Sequence, residues 1–186
     1  MRTFIAIELP EEIQAAIAAL QDELRLARAE VSWTKPENIH LTLKFLGEAE
    51  EQLIAQVTSA CLETAAATAP FTLHVEEAGA FPNASRPRVL WVGLGGGVEE
   101  ARRLQSRLDE RLAGIGFEKE TRAFQPHLTI GRVKSLRGTK ALLARAEAYQ
   151  LPALSFTIRE VVVMRSQLHP AGARYTPLAR APLNWS

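Results

Sequence analysis

The sequence predicts one mixed domain of helices and strands, α/β or α+β, organised as two similar lobes. Three observations carry this. Apolar residues recur with helical spacing in some stretches and as β-branched runs in others. No low-complexity linker divides the 186 residues, a length that suits a single domain. The pattern His-x-Thr-aliphatic occurs twice, at His40 and His127, 87 residues apart and so close to half the chain.

The elements come in this order. Residues 3–9 are β-branched and apolar and end at Pro10, as a strand would. Pro10 with Glu11 and Glu12 then opens a helix whose Ile13, Ile17, Leu20 and Leu24 keep one face. Residues 39–45 read as a strand stopped by Gly47, and residues 48–68 as a helix. Residues 71–75 and 88–94 read as strands on either side of a Pro-rich loop that starts at Phe81. Ala101, Leu104, Leu108 and Leu112 mark a third helix, closed by Gly114 and Gly116. Residues 124–133 are strand-like, with a break implied at Pro126. A fourth helix is expected over 139–149 with Thr139 as its N-cap, then a β-rich run at 154–164 and a last strand at 173–178. The count is four helices and seven or eight strands.

Composition sets outer bounds. Hydrophobic residues are 47% and charged residues 23%, an ordinary globular balance. The formal net charge of +1 excludes a charge-driven coating of nucleic acid and leaves room only for local contacts. No apolar run reaches the length of a membrane span, and Glu8 and Pro10 interrupt the opening too early for a signal peptide. Cys61, the single cysteine, reads as a small buried hydrophobe, and the expected compartment is the cytoplasm. The glycines at 93, 95, 96 and 97 lack the spacing of a phosphate-binding loop and read as a strand-to-helix turn. No His, Cys, Asp or Glu cluster has zinc spacing, so no metal is expected.

The repeated tetrapeptides, His40-Leu41-Thr42-Leu43 and His127-Leu128-Thr129-Ile130, carry the chemistry. With four histidines and twelve threonines in the chain, two such pairs arise in about 2–3% of shuffled sequences, so the aliphatic alternation and half-length spacing add needed specificity. In a strand, His and Thr two apart share one face and the aliphatics share the other. Each motif therefore presents an imidazole and a hydroxyl together. Cleaving a phosphodiester needs a base for the attacking oxygen and an acid for the departing one, and imidazole suits both near neutral pH. Two facing lobes would put them on opposite sides of an in-line displacement, with the Thr hydroxyls on the non-bridging oxygens.

Around these motifs the chain resembles the two-histidine (2H) phosphoesterases, and within them the RNA 2′,3′-cyclic phosphodiesterases, historically called RNA 2′-5′ ligases. The likeness runs from Arg2-x-Phe4-x-Ala6-x-x-Leu9-Pro10 through Trp33 and Asn38 to Gly47. It continues through Phe81-Pro82, Pro87 to Gly93, Pro126 to Arg132, Ser166-x-Leu168, Gly172 and Tyr175. The resemblance implies an α+β bilobal, pseudo-symmetric fold with two antiparallel sheets facing a central cleft and helices outside, the two half-length lobes intertwined in one domain spanning 1–186. It implies metal-independent opening of RNA 2′,3′-cyclic phosphate ends to 2′-phosphates without a cofactor. His40 and His127 would be the catalytic pair, Thr42 and Thr129 the phosphate ligands, Arg132 a stabiliser of phosphate charge, and Phe45 a base-stacking platform.

Arg132 lies five residues after His127, and a regular strand would turn it to the opposite face. Gly131 is therefore expected to supply a bulge or a turn that re-aims it. Phe45 has the same parity relative to His40, with Gly47 nearby. Basic residues Arg132, Lys134, Arg137 and Lys140 follow the second motif, and Arg86 and Arg88 flank the Pro-rich loop. His74 and His169 lack the Thr partner and read as structural or exposed. Tyr175 and Trp33 are expected to pack in the core, with a place on the cleft wall as the alternative. The expected partners are RNA ends or small nucleotides, with no membrane and no obligate protein partner, and a monomer is the default. Other readings are the reverse 2′-5′ joining of RNA, a phosphodiesterase for a small cyclic or 2′-5′-linked nucleotide, and an RNA-end binding module without turnover.

Overall fold

Strands and helices are interleaved along the chain of this computed structural model, which describes residues 1–184. The order is β1 (Arg2–Glu8), α1 (Glu11–Arg25), β2 (Val31–Trp33), β3 (His40–Glu48), α2 (Ile54–Ala66), β4 (Phe71–Phe81), β5 (Val89–Gly96), α3 (Val98–Ala113), β6 (His127–Val133), α4 (Thr139–Ala148), β7 (Ser155–Ile158), β8 (Glu160–Gln167) and β9 (Arg174–Pro182). Short 3-10 turns at 36–38 and 51–53 lead into β3 and α2. Every strand pair is antiparallel, which settles the class as α+β.

The strands form two sheets. Sheet A has the order β3-β1-β8-β9 and sheet B the order β2-β6-β5-β4-β7. Neither sheet is drawn from one half of the chain, because β8 and β9 complete the sheet that begins with β1 and β3. The helices cross over as well. α2 packs on β8 and β9, and α3 on α2 and β3, so both back sheet A. α4 packs on β4 and α1 on α4, so both back sheet B. Thus α1 follows a strand of sheet A yet covers sheet B, and α3 follows a strand of sheet B yet covers sheet A. Ile13, Ile17, Leu20 and Leu24 of α1 are buried, as are Ala101, Leu104, Leu108 and Leu112 of α3, which matches the helical spacing.

Several expectations change. β2 is a strand that three residues of ordinary composition did not announce. Gly47 does not stop β3, which runs on to Glu48. β4 is far longer than 71–75 and carries a bulge between Val75 and Ala78, where Glu76 and Glu77 bow out of the ladder. The run 154–164 divides at Arg159 into β7 of sheet B and β8 of sheet A. Thr139 is the first residue of α4 and not its cap. Gly138 occupies the cap position at φ 74°, a left-handed conformation that glycine adopts without a Cβ penalty, and the Thr139 hydroxyl donates to the Leu136 carbonyl instead. The glycines at 93–97 end β5 and turn into α3, as expected. Cys61 is buried in the main core, where burial pushes its thiol up to about 12.

Candidate active site

The two motifs open strands β3 and β6, which approach each other between the sheets. Residues 40–45 and 127–132 share one burial pattern: half-buried, buried, half-buried, buried, buried, exposed. The second pair of buried positions marks a break in alternation, and the registers show its cause. Ile5 pairs with Lys44 while Ala6 pairs with Thr42, so Leu43 is an extra residue in β3. Leu90 pairs with Gly131 while Trp91 pairs with Thr129, so Ile130 is an extra residue in β6. Each motif therefore bulges at its fourth residue, and each bulge flips the parity of the residues after it.

That flip brings Phe45 to the face of His40 and Thr42, and Arg132 to the face of His127 and Thr129. The unpaired residues are Leu43 and Ile130; the second bulge takes in the neighbouring Gly131, as expected, whereas the first lies away from Gly47, where β3 slips a second time at Leu46. Gly131 has a further use: a Cβ there would meet the Val31 side chain at 2.9 Å and the Trp33 ring at 3.1 Å. Trp33 packs against the core, as expected.

Each bulge carbonyl is met by a buried glutamine from a helix. Gln21 of α1 donates through Nε2 to the Ile130 carbonyl at 2.9 Å and to the Thr34 carbonyl at 2.8 Å. Gln105 of α3 donates to the Leu43 carbonyl at 3.4 Å. Bulging removes a carbonyl from the regular ladder, and a buried acceptor must find another donor. Sequence reasoning missed both glutamines. Their only signal was a polar residue on the buried face of a helix, a face that in α3 also carries Asp109.

The two imidazoles are held alike. His40 Nδ1 lies 2.7 Å from the Asn38 carbonyl, and His127 Nδ1 lies 2.9 Å from the Gln125 carbonyl. A carbonyl can only accept, so Nδ1–H donates in both rings and Nε2 is left for chemistry. His40 is stacked on Phe4 at 4.7 Å and receives the edge of Tyr175 at 5.4 Å. Burial lowers its pKa below the ordinary imidazole value, partly opposed by the Asn38 hydrogen bond and by the charge of Glu8. Glu8 is itself tied to Arg180, which also binds Glu160. His127 meets the edge of Phe81 at 5.4 Å.

Phe4, Ala6, Val162 and Met164 form an apolar pad beneath His40, separate from the main core, with Tyr175 packed on it. Tyr175 is thus not a residue of the main core. Its phenol pKa is raised by burial and drawn back down by Arg132 and Arg2, so a guanidinium of sheet B acts on a phenol of sheet A across the cleft. Phe45 is 64% exposed and leans towards Phe4 at 6.1 Å.

The remaining candidates lie elsewhere. Arg86 and Arg88 flank the loop after Phe81, whereas Lys134 and Arg137 follow β6 and Lys140 rides on α4 behind sheet B. His74 is half-buried over Gly95 and Gly96, and exposed His169 caps its own turn by accepting from the Ala171 amide. Among the described residues no helix is long and apolar enough to cross a membrane, and no three His, Cys, Asp or Glu side chains gather as a metal site.

Comparison with known proteins adds three findings. A family model described as the 2′-5′ RNA ligase superfamily matches residues 9–170. A protein of Methanothermobacter thermautotrophicus named RNA 2′,3′-cyclic phosphodiesterase is 36% identical over 179 residues, covering 96% of this chain and 96% of that one. Among solved structures, TT0787 of Thermus thermophilus superposes with a TM-score of 0.83 at 28% identity over 100% of both chains. E. coli LigT complexed with 3′-AMP superposes with a TM-score of 0.77 at 27% identity over 98% of this chain and 97% of that one.

Proposed function

Because this chain belongs to the 2′-5′ RNA ligase superfamily, the two-histidine phosphoesterases, we propose that it hydrolyses RNA 2′,3′-cyclic phosphate ends to 2′-phosphomonoesters. The observation that carries the reading is the matched pair of imidazoles. Each opens an equivalent strand, each is oriented by a carbonyl two residues back, and each keeps Nε2 free. The name of the archaeal relative and the 3′-AMP bound to LigT agree with a nucleotide phosphate in this cleft.

In this mechanism one imidazole takes a proton from water as its oxygen attacks phosphorus. The other gives a proton to the departing O3′, and the phosphate stays on O2′. Thr42 and Thr129 donate to the non-bridging oxygens, and Arg132 balances the charge that builds there. Phe45 stacks on the terminal base. The step needs no metal, since the two imidazoles supply both proton transfers. The protein acts as a cytoplasmic monomer on RNA ends or small nucleotides, with no obligate protein partner.

The test is incubation with a 2′,3′-cyclic nucleotide followed by identification of the product. A 2′-phosphate is expected. A 3′-phosphate would overturn the regiochemistry, and intact substrate would replace hydrolysis with simple end binding.

Arg132 can serve the phosphate only while the bulge at Ile130 persists, and Gln21 grips that bulge. Gln21→Leu takes one donor from each of the Ile130 and Thr34 carbonyls, of which Ile130 keeps the Thr34 amide, and is expected to cost about 1–3 kcal/mol of stability, measured by urea unfolding. It should also raise KM. In an Arg132→Ala background that rise should vanish, because both changes act through one guanidinium. Additive KM effects would separate Gln21 from Arg132.

A further inference from the structure

Three donors stand in line across the cleft face of sheet A, and the reaction above uses none of them. Thr3 pairs with Arg165 and Arg165 with Thr176, so Arg2, Ser166 and Tyr175 occupy the next row across β1, β8 and β9. Ser166 pairs directly with Tyr175. Residues in one row share a face, and strand alternation puts Arg2 on the side of Phe4 and Ala6, the pad beneath His40. A guanidinium, a hydroxyl and a phenol therefore look into the cleft side by side. Adjacent strands lie about 4.8 Å apart, so the row spans about 10 Å. Arg2 is exposed, and Ser166 and Tyr175 are half-buried. The guanidinium and the two hydroxyls have no hydrogen-bond or ion-pair partner among the described residues. Glu48, which pairs with Arg2 in the ladder, turns instead to the N-terminal ammonium at 3.1 Å.

We infer that Arg2, Ser166 and Tyr175 bind the phosphate carried on the 5′ oxygen of the terminal nucleotide. The inference rests on the proposed reaction and adds what sets its preference. A strand end, or a nucleotide with a 5′-phosphate, is favoured over a bare nucleoside cyclic phosphate. Guanidinium forks suit phosphate oxygens, and hydroxyls can donate to them. The opposite end of the same face cannot serve, because there Glu8 and Glu160 surround Arg180 and two carboxylates outnumber one cation.

Phe4 is the hub of this wall. It stacks on His40 at 4.7 Å, and Phe45 and Tyr175 meet it at 6.1 and 4.9 Å. The imidazole, the proposed base platform and the end of the donor row thus lie around a single ring. In a nucleoside 2′,3′-cyclic phosphate the base and C5′ leave the same face of the ribose, from either side of its ring oxygen. With the cyclic phosphate at the imidazoles and the base on Phe45, C5′ points to the wall of sheet A as well, displaced from Phe45 by the breadth of a ribose. Phe45 stands on β3 at one edge of that sheet, and the row occupies the three strands beside it. The charge of Arg2 already reaches the Tyr175 phenol, as that of Arg132 does from the other sheet.

The experiment compares adenosine 2′,3′-cyclic phosphate with the same compound carrying a 5′-phosphate. In the wild type the 5′-phosphate is expected to lower KM about tenfold with kcat unchanged. Arg2→Gln should erase that advantage while KM for the bare cyclic nucleotide stays within about twofold. Arg2→Lys, which keeps the charge, should retain part of it. Tyr175→Phe, which keeps the ring against His40, should lose about threefold of it. Equal KM values for the two substrates in the wild type would overturn the inference, and so would an Arg2→Gln variant that still tells them apart. A change in Arg2→Gln that follows the base, guanosine against adenosine, and not the 5′-phosphate would place Arg2 at the base edge and overturn it too. Two intact substrates in the wild type would instead refute the proposed function itself. Calorimetric binding of adenosine 2′,5′-bisphosphate against 2′-AMP reads the subsite without turnover. The bisphosphate should bind about tenfold tighter in the wild type and no tighter in Arg2→Gln, and equal affinities in the wild type would count against the subsite.

Discussion

His40→Ala and His127→Ala are each expected to lower kcat on a 2′,3′-cyclic nucleotide by about 10³-fold, within the range of one lost acid or base. Both side chains sit on the cleft face and fill no part of the main core, so the variants should unfold at nearly the wild-type temperature. Full activity in either variant would overturn the mechanism. The wild-type pH profile of kcat/KM should be a bell, and EDTA should not change it. Because burial holds His40 below the ordinary imidazole value of 6.5, His40 is mainly neutral at pH 7 in the free protein. One limb of the bell therefore lies below pH 6.5. Glu8→Gln removes a charge that raises this pKa, so it should move the same limb to lower pH. A limb that does not move in Glu8→Gln would assign it to another group.

The largest stability loss is expected at Lys44, the residue after the β3 bulge. The same slip that turns Phe45 outward turns Lys44 inward, against α3. Its ammonium lies 2.5 Å from Asp109 and donates to the Glu118 carbonyl, and the Glu120 carboxylate is 3.5 Å away. The Lys44 and Asp109 side chains are 3% and 7% exposed, and the second oxygen of Asp109 accepts from the Glu120 amide. Lys44→Met keeps the volume but leaves a buried carboxylate without its cation, which costs about 3–5 kcal/mol. Adding Asp109→Leu removes the stranded charge and should recover most of that loss. Urea unfolding of the two single variants and the double variant measures the cycle. A Lys44→Met variant within about 1 kcal/mol of wild type would show that the pair holds nothing together.

The chemistry was readable in the sequence because it rides on local alternation. His40 with Thr42, and His127 with Thr129, needed only the period of a strand to be placed on one face. Phe45 and Arg132 needed more. Their parity is wrong for a straight strand, and the residues that slip are Leu43 and Ile130, aliphatics with no turn or glycine character. The slip is decided by the partners, β1 for one motif and β5 for the other, and by glutamines on helices that cross from the other sheet. Such information is tertiary and has no local imprint. Tyr175 was harder to place for a related reason: its neighbours His40 and Phe4 come from strands at the other end of the chain. The division of residues 154–164 between the two sheets was equally hidden, since a continuous apolar run fits one strand as well as two.

The pairing of Thr3 with Arg165 in sheet A has a consequence for how the protein is made. β1 leaves the ribosome first, yet its β8 neighbour and the Tyr175 that flanks His40 leave near the end of synthesis, many seconds later at ordinary elongation rates. Through that interval β1 has only β3 to pair with, and the pad under His40 is unfinished. A nascent chain therefore carries both histidines before the pad under His40 is complete. Sheet A must also close across most of the chain, a non-local contact that slows folding. Until β8 arrives, the apolar edge of β1 is the segment most in need of shelter from neighbouring chains.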